Sequence, residues 1–175
     1  MRGAEGGRAA RALRAVGRFL LWIPRPLGCL LVLAWMLLIW DLSSHRAPTP
    51  AHPSLWWEWL SNLAHAPLFG TLTLLVAALA LRESEARWPS PRRGRIALVL
   101  SCVLAYGAID EWHQSRIPGR DSSILDVVTD LVSGAVVLWI VYTLGDAELR
   151  ERRLLARLGT GVLLCCASAA LASLS

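Results

Sequence analysis

With 175 residues, 55% of them hydrophobic and 18% charged, and a mean hydropathy of +0.47, the chain carries too little charge for a soluble domain of its length. The bilayer is the solvent this composition fits. The net charge of +5 is carried by 18 arginines and no lysine, all set beside apolar segments. Membrane orientation accounts for that placement, and nucleic-acid binding is not expected.

In chain order, residues 1–26 form an Arg-rich segment with Arg8, Arg11, Arg14 and Arg18 close to one helical face. Such a face suits anionic headgroups, but a simple topology signal is the preferred reading. A first apolar run covers Leu27–Trp40, extendable back to Phe19 across Pro24-Arg25-Pro26. A basic start and an apolar stretch also describe a signal peptide, yet no small-x-small cleavage site follows Trp40 and retention is expected. Trp40, Trp56, Trp57 and Trp59 fit an aromatic belt at one interface. Further apolar runs are Leu60–Leu81, Ile96–Ile109, Ile124–Leu144 and Leu158–Leu174, of which Ile96–Ile109 is short against the ~20 residues a span needs. Cys29, Cys102, Cys165 and Cys166 lie inside these runs without metal-ligand spacing and read as small core residues, with no disulfide expected.

Outside the five runs the arginines number 6, 1, 5, 2, 4 and 0 from the N-terminal segment to the C-terminal tail. Arg-rich loops stay cytoplasmic, so this alternation predicts an all-α polytopic transmembrane bundle of about five spans, N-terminus inside and C-terminus outside. The division expected is 1–26, an Arg-rich cytoplasmic segment; 27–144, a four-helix membrane domain; and 145–175, an Arg-rich cytoplasmic loop with a fifth transmembrane helix.

The polar chemistry collects in Tyr106–Gly134, YGAIDEWHQSRIPGRDSSILDVVTDLVSG. Asp110, Glu111 and His113 stand at the exit of the third helix, Pro118-Gly119-Arg120 makes a turn, and Asp126 and Asp130 enter the fourth helix. Tyr106, Asp110 and His113 share one helical face; Asp126, Asp130 and Gly134 share another, with the glycine allowing close helix approach. At ~1.5 Å rise per residue across ~30 Å of hydrocarbon, Asp110 and Asp130 lie ~9 Å and His65 ~6 Å below the outer boundary. One polar layer follows. An isolated acid at mid-membrane costs ~2.5–3.5 kcal/mol, so these groups are expected to face each other or a wet cavity.

Structural roles compete for several of these residues. Ser123-x-x-Asp126 is a capping-box pattern, and Asp121 or Ser122 are alternative caps. Arg120 pairs readily with Asp126, Asp110 or Glu111. His65 by itself reads as a satisfied polar residue near a helix end. Asp130 is different, because no cap explains an acid nearly two turns into an apolar helix.

Tyr106-Gly107, Asp110-Glu111, His113-Gln114, Pro118-Gly119-Arg120, Asp126, Asp130 and Gly134, in this order, resemble the VanZ-like family. Upstream, the family's Asp-Lys-x-x-His stands here as Ser61-Asn62-Leu63-Ala64-His65, which keeps only the histidine. The likeness covers about Ser61 to Leu144, with the fifth apolar run beyond the usual four-helix unit. It implies a small helical protein of a bacterial cytoplasmic membrane, in a family named for teicoplanin-type glycopeptide resistance, and implies no known reaction.

Two functions are expected from these residues. In the first, a pocket at the outer face binds or modulates an envelope amphiphile, or a glycopeptide-type antibiotic response. Its ligand-binding residues are Arg120, Gln114, Asp126, Asp130 and Tyr106, with Arg120 and His113 toward an anionic headgroup and carboxylates toward an amine or bridging cation. In the second, a membrane hydrolase or transferase acts on a lipid-linked envelope substrate. The catalytic candidates are His113, Glu111, Asp110 and His65, and Asp126 and Asp130 are the candidates to hold a divalent cation. The expected partners are membrane lipids or a lipid-linked precursor. Short spans without repeat symmetry argue against an independent transporter.

Overall fold

The computed structural model describes residues 7–45, 54–82, 92–118, 120, 122–146 and 148–174. Arg2, Arg46, Arg87, Gly119 and Asp121 lie outside them. The described residues form seven helices and no strand: α1 Arg8–Trp22, α2 Arg25–Ser44, α3 Leu55–Leu63, α4 His65–Ala80, α5 Arg93–Gln114, α6 Ile124–Leu144 and α7 Glu151–Ala172. Five stretches are long and apolar enough to cross a membrane: α2, α3 with α4 as Leu55–Ala80, α5, α6 and α7. Leu30, Leu33 and Leu37 of α2 and Val162, Leu163 and Leu171 of α7 are exposed on the bundle's surface. In water such a surface would drive aggregation; against lipid chains it is matched.

Proline explains two helix boundaries. Pro24 is the N-cap of α2 and Pro26 sits in its first turn, where a missing N–H costs nothing, so the first apolar run does not continue back into α1. Pro67 cannot donate to Leu63 and its ring crowds that carbonyl, and the helix is interrupted at Ala64 between α3 and α4. The second run therefore reaches back to Leu55 as a broken helix.

The third run is not short. α5 continues through Asp110, Glu111 and His113 to Gln114, 22 residues in all, because its polar last turns find partners inside the protein. Its acids lie within the helix rather than beyond it. Cysteine burial also differs from expectation. Cys29 and Cys102 are exposed on the helix surface, Cys165 and Cys166 are half-buried, and all four are free.

The core runs along α4, α5 and α6, with α2 closing one side and α7 the other. Ile39, Phe69, Leu72, Val103 and Tyr106 make its central cluster. Gly134 is required here: a β-carbon on it would stand 2.9 Å from Thr73 Oγ1, with Leu100 and Val103 just beyond. Trp35 Nε1 donates to Leu68 O at 2.9 Å and Tyr106 Oη donates to Met36 O, tying α2 to α4 and α5.

One end of the bundle is held by arginines. Arg14 Nε donates to Leu144 O at 2.8 Å and its Nη2 to Asp146 O at 2.7 Å, where α6 ends and the helix dipole favours a cation. Arg82 donates to Ile23 O at 2.6 Å, and Arg157 donates to Thr143 Oγ1. The backbone N–H of Ala9 donates to Glu151 at 3.2 Å. Within the Arg-rich N-terminal segment, Arg8–Trp22 is thus a helix docked on α4, α6 and α7. The opposite end gathers Ser44, His65, Gln114 and Ser123.

Candidate functional site

The break at Ala64 makes His65 the first residue of α4, and its ring lies parallel to Phe69 at 5.9 Å between centroids. Its Nδ1 meets Asp130 Oδ1 of α6 at 3.1 Å. On α5, Gln114 Nε2 donates to Asp110 Oδ2 at 2.9 Å and to Glu111 Oε1 at 3.4 Å, the i, i+4 and i, i+3 neighbours of one helix face. Glu111 Oε2 accepts the backbone N–H of Ser123 at 2.8 Å.

That last bond decides the role of Asp126. Ser123 is the N-cap of α6, its Oγ accepting from Leu125 N at 3.2 Å. The reciprocal half of a capping box, a carboxylate on the cap residue's own N–H, is supplied from α5 by Glu111. Asp126 is released from capping. Its carboxylate has no hydrogen bond among the described residues, and Oδ1 is fully buried. Asp110 Oδ1 and Asp130 Oδ2 are likewise buried without a partner.

Four carboxyl groups and one imidazole therefore meet where α4, α5 and α6 converge. Asp110 and Asp130 are 1% exposed, Asp126 5% and Glu111 7%. One donor atom each from His65, Asp110 and Glu111 fit within 4.8 Å of one another. Asp126 lies close enough to His65, Asp110 and Glu111 to interact with them electrostatically. Gly107 makes the room, since a β-carbon there would stand 2.7 Å from Asp130 Oδ2.

No family model, curated protein or solved structure matches this chain.

The cluster unites His65, Asp110, Glu111, Gln114, Asp126 and Asp130, all singled out in the sequence, and places His65 and Asp110 around Asp130 as the depth argument requires. Three other candidates face α2 instead. His113 stacks on Trp40 at 3.7 Å between centroids, with Nε2 2.9 Å from Ser44 Oγ, and no carboxylate among the described residues orients it. Arg120 makes no ion pair with Asp126, Asp110 or Glu111. Its Nη2 donates to Leu42 O at 2.7 Å and His45 O at 2.6 Å, and its Nη1 to Gln114 Oε1 at 3.4 Å. Tyr106 is a core residue with its hydroxyl on Met36 O. The cation candidates shift as well, from Asp126 and Asp130 alone to a set with His65, Asp110 and Glu111 closest together.

Ser123, Gly107 and Phe69 belong to the site and were not singled out for it. Gly107 could have been found from its register, one turn before Asp110 on a crowded face; the reach of Glu111 to Ser123 carries no local signal. A cavity of about 470 Å³ elsewhere in the bundle is apolar rather than polar. It lies between α1, α4, α6 and α7 on the far side of α4 and α6, lined by Leu20, Ala66, Pro67, Val137, Ile140 and Val162 among others.

Arg120 now reads as a clamp that joins the end of α2 to α5. Arg120→Lys keeps the charge but loses the fork that spans two carbonyls and an amide. Thermal unfolding in detergent should fall by about 1 kcal/mol, the size of a typical net hydrogen bond. An unchanged midpoint would mean the clamp is incidental.

Proposed function

We propose that the chain is a VanZ-like multi-pass protein of a bacterial cytoplasmic membrane, N-terminus inside, that binds an envelope amphiphile at its outer face and so modulates the response to glycopeptide-type antibiotics. The observation that carries this reading is the convergence of four buried carboxyl groups and His65 at one end of an otherwise apolar bundle. Buried charge of this density is costly without a compensating ligand, and intramembrane acids of this kind are functional by default. With Arg120 and His113 occupied by α2, the free acceptors are carboxylate oxygens. They suit an amine-bearing headgroup or a phosphate bridged through a cation.

The test is to purify the protein from an envelope-lipid background and identify retained lipid by mass spectrometry. The wild type should retain a selected amphiphile, and Asp126→Asn, which removes a buried carboxylate with no hydrogen-bond donor among the described residues, should lose at least tenfold of it. A lipid profile equal to the bulk membrane would end the binding reading.

A specific contact favours the enzyme reading as the second choice. His65 Nδ1 on Asp130 is the oriented imidazole that general base catalysis uses, whereas His113 lacks such a partner. In that case His65→Gln should remove most conversion of a lipid-linked substrate, about 10²–10⁴-fold, while lipid retention persists.

The orientation has its own test. In a cysteine-free background, single cysteines at Ser115, in the turn after α5, and at Ser90, outside the described residues, should differ in intact cells. An impermeant reagent should label Ser115 alone; labelling at Ser90 alone would invert the topology and with it the outer-face assignment.

A further inference from the structure

We infer that the cluster is a binding site for one divalent transition-metal ion, ligated by His65 Nε2, Asp110 and Glu111 with Asp126 completing the set. The inference rests on reading this cluster as the binding site and names what it holds. The donors come from three helices. One ring nitrogen of His65 and one carboxylate oxygen each of Asp110 and Glu111 lie within 4.8 Å of one another, against about 3–4.2 Å for donors ~2.1 Å from a shared ion, so small side-chain rotations close the shell.

Independent of that spacing, the buried Asp126 carboxylate and single oxygens of Asp110 and Asp130 have no hydrogen-bond donor among the described residues. Buried acceptors in this number are otherwise rare. Among the described residues His65 is the only basic side chain bonded to the four acids, because Arg120 bonds to Gln114 and to the Leu42 and His45 carbonyls at the end of α2. One dication offsets two of those charges and satisfies the orphaned oxygens of Asp110 and Asp126 together.

Asp130 has a separate part. Its contact at His65 Nδ1 leaves Nε2 as the ring nitrogen free to ligate and fixes the tautomer, the carboxylate–histidine–metal arrangement that raises ligand basicity. One imidazole among carboxylates suits Mn²⁺ or Zn²⁺ better than Ca²⁺, which takes oxygen donors.

The experiment titrates Mn²⁺ into chelator-treated full-length protein in detergent, read by calorimetry and by pulsed electron paramagnetic resonance. The wild type should bind one Mn²⁺ per chain, displaced by Zn²⁺ and not by equimolar Ca²⁺, with nitrogen coupling from one imidazole. His65→Gln should abolish that coupling, Asp110→Asn should weaken binding at least tenfold, and Asp130→Asn should change the coupling while Mn²⁺ still binds. Glu148→Gln, at the opposite end, should behave as wild type.

Sub-stoichiometric wild-type binding, or bound Mn²⁺ without nitrogen coupling, would overturn the assignment, and neither readout needs a variant to fold. Equal affinity in Asp110→Asn would do the same. Lipid retention is scored on the metal-free and metal-loaded protein separately. A selected lipid without metal would sink this inference alone; metal without a selected lipid would sink the amphiphile reading alone.

Discussion

His65→Ala is expected to lower the stability of the bundle by about 3 kcal/mol, measured by detergent unfolding with tryptophan fluorescence. Interhelical hydrogen bonds in membrane bundles average only ~0.6 kcal/mol, so the larger figure needs a reason. The reason is what remains. Asp130, 1% exposed, would keep its carboxyl group and lose its one side-chain partner, and an uncompensated buried charge costs far more than the pair gains. The double variant with Asp130→Leu should recover most of the loss, because the orphaned acid is gone. Additive losses in that cycle, or a single-variant loss below about 1 kcal/mol, would show that the pair is not coupled.

Gly107→Val should damage the site without touching an ionisable group. The first added carbon would stand 2.7 Å from Asp130 Oδ2 and 3.6 Å from Phe69 Cε1, and valine adds two methyl groups beyond it. Overpacking of this kind costs about 1–3 kcal/mol, and here the displaced atom is the carboxylate that holds His65. Mn²⁺ binding should fall together with stability. Gly94→Val on the same helix is the matched control, since nothing lies within 4 Å of its β-carbon position. Helix propensity alone should then move it by less than about 1 kcal/mol. Equal behaviour of the two variants would deny Gly107 its role in shaping the cluster.

Much of the architecture is legible in the chain because the bilayer imposes one-dimensional constraints. Length and hydropathy mark five stretches, each overlapping one of the five observed, with Ile124–Leu144 matched at both ends. One mismatch is instructive. Ile96–Ile109 reads as a short apolar run because hydropathy counts Asp110, Glu111 and Gln114 as an end, whereas α5 carries them inside on bonds to each other and to Ser123.

The membership of the cluster was equally accessible. Helix rise places His65, Asp110 and Asp130 at one depth, and 3.6-residue periodicity gathers Asp126, Asp130 and Gly134 on one face. Depth and face are properties of a single helix, readable before any packing is known.

What periodicity cannot supply is which helix a face meets. His113 shares a face with Asp110 one turn away, yet α2 takes it through Trp40 and Ser44, while Asp110 turns to Gln114 and the α4–α6 side. Arg120 has three acids within reach in sequence and bonds instead to the end of α2, where carbonyls without helical partners lie. The Ser123-x-x-Asp126 pattern predicts a local cap; Glu111 fills that role from another helix and leaves Asp126 to the cluster. In each case a local interaction was displaced by one between helices, decided by the rotation of α2, α5 and α6 about their axes. That rotation follows from the summed packing of many small contacts along three helices, so it belongs to the tertiary structure and to no single stretch of sequence.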